Sequence, residues 1–304
     1  MILSAGLYFL SLTLPASTVQ SKSDIQKERV VLKVGYPTSA FSKGIEKDIE
    51  VALEVWGSRL AEKATERIKK VNSILFEDEY FSAIYDALKR KEIDLLIMNS
   101  LDYIDFEQTK FMEPVFIGLS GENVGHRYVL LVRRDSGIRS LLQLNNGTIN
   151  IETEGVGRMP IVWLEVLLRR EGFSDVQTFF RASHFLDKTS ETVLPVFFNK
   201  ITACVTKLGA YRTMTELNPQ LEKELVVINE SPELLRGLVI FRTDLDMDLK
   251  NTITDALLTM HEDVDGQQIL MIMREQRLIP FKPEYIDTAR TLYQEYKQLQ
   301  QKIK

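Results

Sequence analysis

The chain has 304 residues, 44% hydrophobic and 27% charged, which is enough for a sizeable core in one large or two medium globular domains. Its 38 basic and 43 acidic residues give a net charge of −5, and no Lys/Arg block stands out, which argues against nucleic acid or an anionic membrane surface as a partner. Past residue 21 no run is long and apolar enough to span a bilayer.

Met1 to Leu14 is a short apolar stretch, Pro15-Ala16-Ser17 supplies a helix break and small residues, and a polar segment follows from Thr18 to Lys27. This switch predicts a secretory signal peptide over residues 1–21 and a periplasmic protein, although the first basic residue is as late as Lys22. The single cysteine, Cys204, lies in the apolar run Ile201 to Val205, so it is expected to pack as a small hydrophobe.

Val30 to Tyr36 is β-rich and runs into a Gly-Tyr-Pro loop. Ile45, Ile49, Leu53, Trp56, Leu60, Ala64 and Ile68 recur at helical spacing and predict one long helix over 43–70. Ser73 to Phe76 reads as a short strand, Tyr80 to Lys91 as a helix, and Ile93 to Met98 as a continuous apolar strand of the kind buried in a parallel sheet. Strands are then expected at Tyr128–Arg133, Thr148–Ile151, Ile201–Val205, Leu225–Ile228 and Leu238–Phe241. Helices are expected at Pro160–Glu171, Thr189–Phe198, Tyr211–Leu217, Leu249–His261 and Gly266–Arg274, and the repeat Leu292, Tyr296, Leu299, Ile303 predicts a closing helix. Strands alternating with helices imply an α/β fold with mainly parallel sheets flanked by helices.

Three segments carry more than periodicity. Tyr80 opens a helix that leads to the Ile93-Asp94 start of a strand. Tyr128 to Leu144 runs from a strand through Asp135-Ser-Gly-Ile138 toward the Asn145-Asn-Gly147 turn. Val226 to Asp244 is the third. Their order, with His184 further on, resembles the periplasmic solute-binding proteins of phosphate/phosphite/phosphonate ABC importers. That resemblance implies a two-lobed, type II periplasmic-binding-protein-like fold with its ligand in the cleft. It implies lobe one at residues 24–122 plus 232–304, lobe two at 123–231, and crossings near Gly121–Arg127 and Asn229–Gly237.

The residues matching the family's cleft are Tyr80, Ser100, Tyr103, the loop Thr153-Glu154-Gly155 with Gly157 and Arg158, and His184. Tyr80 would offer its hydroxyl beside free helix N–H groups, and Ser100 follows the C-terminal end of a strand, where open α/β sheets bind ligands. Ser100 reads equally as an N-cap. The family's anion loop is rich in Ser and Thr, whereas Glu154, Gly155 and Val156 stand here. A carboxylate facing that point repels a phosphoryl group, leaving backbone N–H groups and Arg158 as the means of holding an anion; the plainer reading is that Glu154 points to solvent. The positions near Thr202, Gly209 and Gly237, acidic in aminophosphonate binders of the family, are not acidic here, which argues against a zwitterionic ligand.

His126, His184 and His261 show no metal-ligand spacing, and neither a dinucleotide loop nor a Gly-x-Ser-x-Gly nucleophile is present. No catalysis and no cofactor are therefore expected. The expected partners are a small-molecule ligand, an oxyanion among the candidates, and an ABC permease; a membrane sensor is the alternative, and the chain is expected to be a monomer.

Overall fold

The structure, a computed structural model, describes residues 29–40, 44, 46–63, 67–77, 81–106, 110–153 and 157–302. The expected signal peptide lies outside the described residues, as do Tyr80, Glu154 and Gly155.

The first segment runs β1 (Val30–Pro37), α1 (Glu46–Lys63), β2 (Ile68–Phe76), α2 (Phe81–Lys89), β3 (Leu95–Asn99), α3 (Ser100–Phe106) and β4 (Met112–Leu119). The chain crosses through β5 (Gly125–His126) into β6 (Tyr128–Arg133), β7 (Thr148–Glu152), α4 (Met159–Arg170), α5 (Val176–Phe179), β8 (Ala182–Leu186), α6 (Thr189–Phe197), β9 (Ala203–Lys207), α7 (Leu208–Leu217), α8 (Gln220–Glu224) and β10 (Leu225–Glu230). It returns through β11 (Leu234–Leu235) to β12 (Gly237–Arg242), α9 (Met247–Leu258), α10 (Val264–Met273), β13 (Arg277–Pro280) and α11 (Glu284–Lys302).

Two large sheets result, one per lobe, in the order β13-β4-β12-β3-β1-β2 and β10-β6-β9-β7-β8. They share one topology. In each, a central strand (β1 or β7) pairs in parallel with its two neighbours, and a strand arriving from the crossing (β12 or β6) follows and pairs antiparallel on both sides. The two-lobed α/β fold is thus as expected, but each sheet is mixed rather than mainly parallel. The reason lies in the crossings: β6 and β12 enter their sheets directly from the hinge and run against the strands built by β-α-β connections.

The apolar runs of β3, β12 and β6 follow from burial on both faces. Leu95, Val239 and Phe241 face the core beneath α1, α9 and α10, whereas Leu96, Met98, Leu238 and Ile240 face a second core. That second core continues through Tyr128, Leu130, Val132 and Trp163 of the other lobe and ends on Ile286, Ala289 and Tyr293 of α11. Val129, Leu131 and Cys204 face a third cluster with Tyr211 and Leu221. Cys204 is fully buried, as its apolar run predicts, and burial pushes its thiol pKa far up.

The predicted helix over 43–70 ends earlier: Ile68 begins β2, opposite Val30, and β2 extends well before Ser73. Apolar spacing alone carries the helix on, but Ile68 and Val71 fill the same core from a strand. β4, β8 and β13 have no strong alternation and are not anticipated.

Candidate functional site

The two segments that join the sheets meet in a short ribbon, called the hinge below for its position. β5 and β11 pair antiparallel, Gly125 opposite Leu235 and His126 opposite Leu234. The Glu233 carboxylate accepts the N–H groups of Val124 and Gly125 at 2.9 and 3.0 Å. The Ser231 hydroxyl accepts the N–H of Tyr128 and donates to the Pro232 carbonyl, both at 2.7 Å. Gly125 is required by close approach, because a Cβ there would lie 2.3 Å from the Leu234 carbonyl oxygen.

The first lobe presents the C-terminal ends of β1 and β3, where α/β sheets bind ligands. The Asp102 carboxylate accepts from the Ser39 hydroxyl at 2.7 Å and from the Asn99 amide, whose oxygen receives the Asp102 N–H at 2.9 Å. Ser100 is fully buried, with its hydroxyl donating to the Leu235 carbonyl and its N–H to the Arg236 carbonyl at 2.9 Å, so it ties β3 to the hinge. Tyr103 is buried in the central core on α3.

The second lobe presents the ends of β7 and β9. Glu152 is 1% exposed. Its carboxylate meets the Lys207 ammonium at 2.8 Å, the Thr189 hydroxyl at 2.9 Å and the Thr206 hydroxyl. The following residue, Thr153, is half-buried and donates its N–H to Leu186 at 2.9 Å. Gly157 has φ +56°, and a Cβ on it would lie 3.2 Å from the Asn99 amide nitrogen. Arg158 follows, its guanidinium 3.8 Å from Asp105 of α3, and α4 begins at the next residue with Pro160 in its first turn. Gly157 and Arg158 therefore meet the first lobe, whereas Thr153 is tied to β8 of the second. His184 stands apart, exposed on the edge strand β8 in register with Asn150.

Between the lobes, beside the hinge, is a cavity of about 590 Å³. The first lobe contributes Ser120 and Arg274, the crossings His126, Arg127 and Glu233, and the second lobe Lys207, Gly209, Ala210 and Arg212. Four cations thus face one carboxylate. Lys207 is paired with Glu152, and Arg127 with Glu230 at 3.0 Å. The pKa of His126 is lowered to about 3, first by burial and then by the charges of Arg236, Lys207 and Arg274, so the imidazole stays neutral in a positive field. A second recess of about 30 Å³ lies by Asn99, Arg236, Gly237 and Glu275. Sequence reasoning misses this cationic cavity because its charges come from residues 127, 207, 212 and 274, far apart in the chain. Glu152 is missed too, reading as one polar residue at a strand end.

Residues 75–285 match the family described as "ABC transporter, phosphonate, periplasmic substrate-binding protein". The chain belongs to this family. No curated protein matches it by sequence. Among solved structures, XAC2383 from Xanthomonas citri, determined bound to ATP, has a TM-score of 0.61 at 16% identity, covering 90% of this chain and 98% of its own. A binding-protein component of an ABC phosphonate transporter from Pseudomonas aeruginosa has a TM-score of 0.60 at 12% identity, covering 91% and 90%. PhnD1 from Prochlorococcus marinus, in complex with methylphosphonate, has a TM-score of 0.57 at 17% identity, covering 88% and 98%. At these identities the structural likeness establishes the fold, and the phosphonate-binding family supplies the general role of an ABC-transporter substrate-binding protein.

Proposed function

We propose that this protein is exported to the periplasm, where it captures a small anionic solute by closing its two lobes and presents the closed form to an ABC permease. The lobes are residues 24–122 plus 232–304 and residues 123–231, a division supported by the segments that build each sheet. The observation that carries the reading is the cavity between the lobes, where Arg127, Lys207, Arg212 and Arg274 outnumber Glu233. A site lined by both lobes beside their crossings couples binding to closure, because the ligand contacts both walls only when they meet. Gly157 and Arg158 of the second lobe also meet the first, at Asn99 and Asp105.

The test is thermal unfolding of residues 24–304 across phosphate, phosphite, methylphosphonate, aminoethylphosphonate, sulfate, carboxylates and amino acids. A ligand at one hundred times its Kd stabilises the fold by about 2.7 kcal/mol, a readily measured shift. A shift with phosphorus or sulfur oxyanions and none with neutral solutes is the expected result. Stabilisation by neutral solutes alone would remove the anion reading.

A further inference from the structure

We infer that the hinge-side cavity takes an organic oxyanion with a body much larger than methylphosphonate, its anionic head held by Arg212, Arg274 and the start of α7. This rests on the proposed anion-binding function and specifies the ligand's size class and the wall that grips it.

Size is the first argument. A water molecule's share of liquid volume is about 30 Å³, so a bare oxyanion fills only a small part of a cavity of about 590 Å³. Pockets of roughly 300–1,000 Å³ are those that enclose organic ligands of drug size.

Cationic and donor capacity is concentrated on one part of the lining. Lys207 is held by Glu152 and Arg127 by Glu230, whereas the Arg212 side chain has no hydrogen-bond or ion-pair partner among the described residues. Arg274 stands at the C-cap of α10 with φ +59°, a left-handed position where glycine is the usual residue. An arginine there brings its side chain to the cavity from the first lobe, opposite Arg212 of the second. The ten-residue helix α7 begins at the same wall, and no side chain caps its N-terminus. The Leu208 N–H is taken by the Arg127 carbonyl at 2.8 Å, and the N–H groups that follow, of Gly209 and Ala210, lie at the positive end of the helix dipole.

Gly209 supplies the third argument. It lines the cavity in the first turn of α7, its φ lies outside the left-handed range, and a Cβ added there meets nothing within 4 Å. Open space beside a helix N-terminus is what a bound head group requires.

The experiment is calorimetric titration of residues 24–304 with inorganic phosphate, methylphosphonate, phenylphosphonate, adenosine 5′-monophosphate and neutral adenosine. Affinity is expected to rise about tenfold or more from methylphosphonate to at least one of the two larger anions, with no binding of adenosine. Arg212→Ala and Arg274→Ala should each weaken that larger anion about tenfold, the size of a charge-assisted hydrogen bond. Gly209→Phe, which has room to fold, should abolish binding while the melting temperature of the free protein holds.

Equal or tighter binding of phosphate and methylphosphonate, unaffected by Gly209→Phe and lost in Arg158→Ala, would overturn the inference and leave the anion-binding function standing. Binding of adenosine with no response to any anion would overturn both.

Discussion

At the scale of single residues, the best-anchored group in the cleft is one that strand patterning treats as ordinary. Glu152 ends β7 fully enclosed, neutralised by Lys207 and bonded to Thr189 and Thr206. Removing one member of a buried ion pair leaves the other charge uncompensated. Glu152→Ala is expected to cost about 3–5 kcal/mol in urea unfolding, while the double variant Glu152→Ala/Lys207→Met should recover much of it. His126 provides a pH test. Its folded-state pKa of about 3 lies below the ordinary value of 6.5, so on acidification the unfolded chain takes up a proton that the folded protein refuses. Its contribution to stability is therefore fully present above pH ~6.5 and declines from there toward pH ~3. Between about pH 7 and pH 5, above most carboxylate titrations, the melting temperature of the parent protein should fall more than that of His126→Asn. Equal slopes would mean that the imidazole is protonated in the fold.

At the scale of elements, the hinge ribbon is fixed by backbone proximity rather than by side-chain packing. Gly125 lies against the Leu234 carbonyl, and Glu233 and Ser231 fasten the flanking N–H groups. Gly125→Ala must displace backbone and is expected to destabilise by about 1–3 kcal/mol. Gly209→Ala adds a methyl to open space and should leave the melting temperature unchanged or slightly raised. Both are read by thermal unfolding, and equal effects would contradict the close approach of β5 to β11. α11 adds a second link between the lobes. Its Glu295 receives both arms of Arg170 of α4 at 2.7 and 2.8 Å, and the Arg169 guanidinium lies 5.3 Å from the ring centre of Tyr296. The repeat Leu292, Tyr296, Leu299 predicts this helix and its apolar face, but not that the face would meet the other lobe.

At the scale of the whole molecule, the lobes meet at the ribbon with its cavity, along α11 against α4, and where Gly157 and Arg158 touch Asn99 and Asp105. Gly157→Ala bears on the last of these. An alanine at φ +56° costs about 1–2 kcal/mol, and its Cβ would press on the Asn99 amide. Because that contact exists only with the lobes together, the variant should favour an open form, with a larger radius of gyration in small-angle scattering and ligand Kd raised about tenfold. An unchanged radius of gyration and unchanged affinity would show that the lobes do not need this contact. Asp105, which also receives the Tyr293 hydroxyl and lies 3.3 Å from the Lys297 ammonium, holds the same region from α11.

The α/β alternation, most strand and helix positions, the buried state of Cys204 and the family were legible along the chain. These depend on local patterning: apolar runs for doubly covered strands such as β6, helical spacing for α11, and three segments whose order is distinctive. The mixed pairing of the sheets emerges only in three dimensions, because the direction of β6 and β12 follows from where the chain crosses. The fate of individual site residues emerges there too. Ser100 serves the hinge, His184 sits on an exposed edge, and Gly157 and Arg158 reach the opposite lobe. The cationic cavity belongs to the same category: Arg127, Lys207, Arg212 and Arg274 become neighbours only when two lobes and a hinge come together, and no spacing along the chain encodes that meeting.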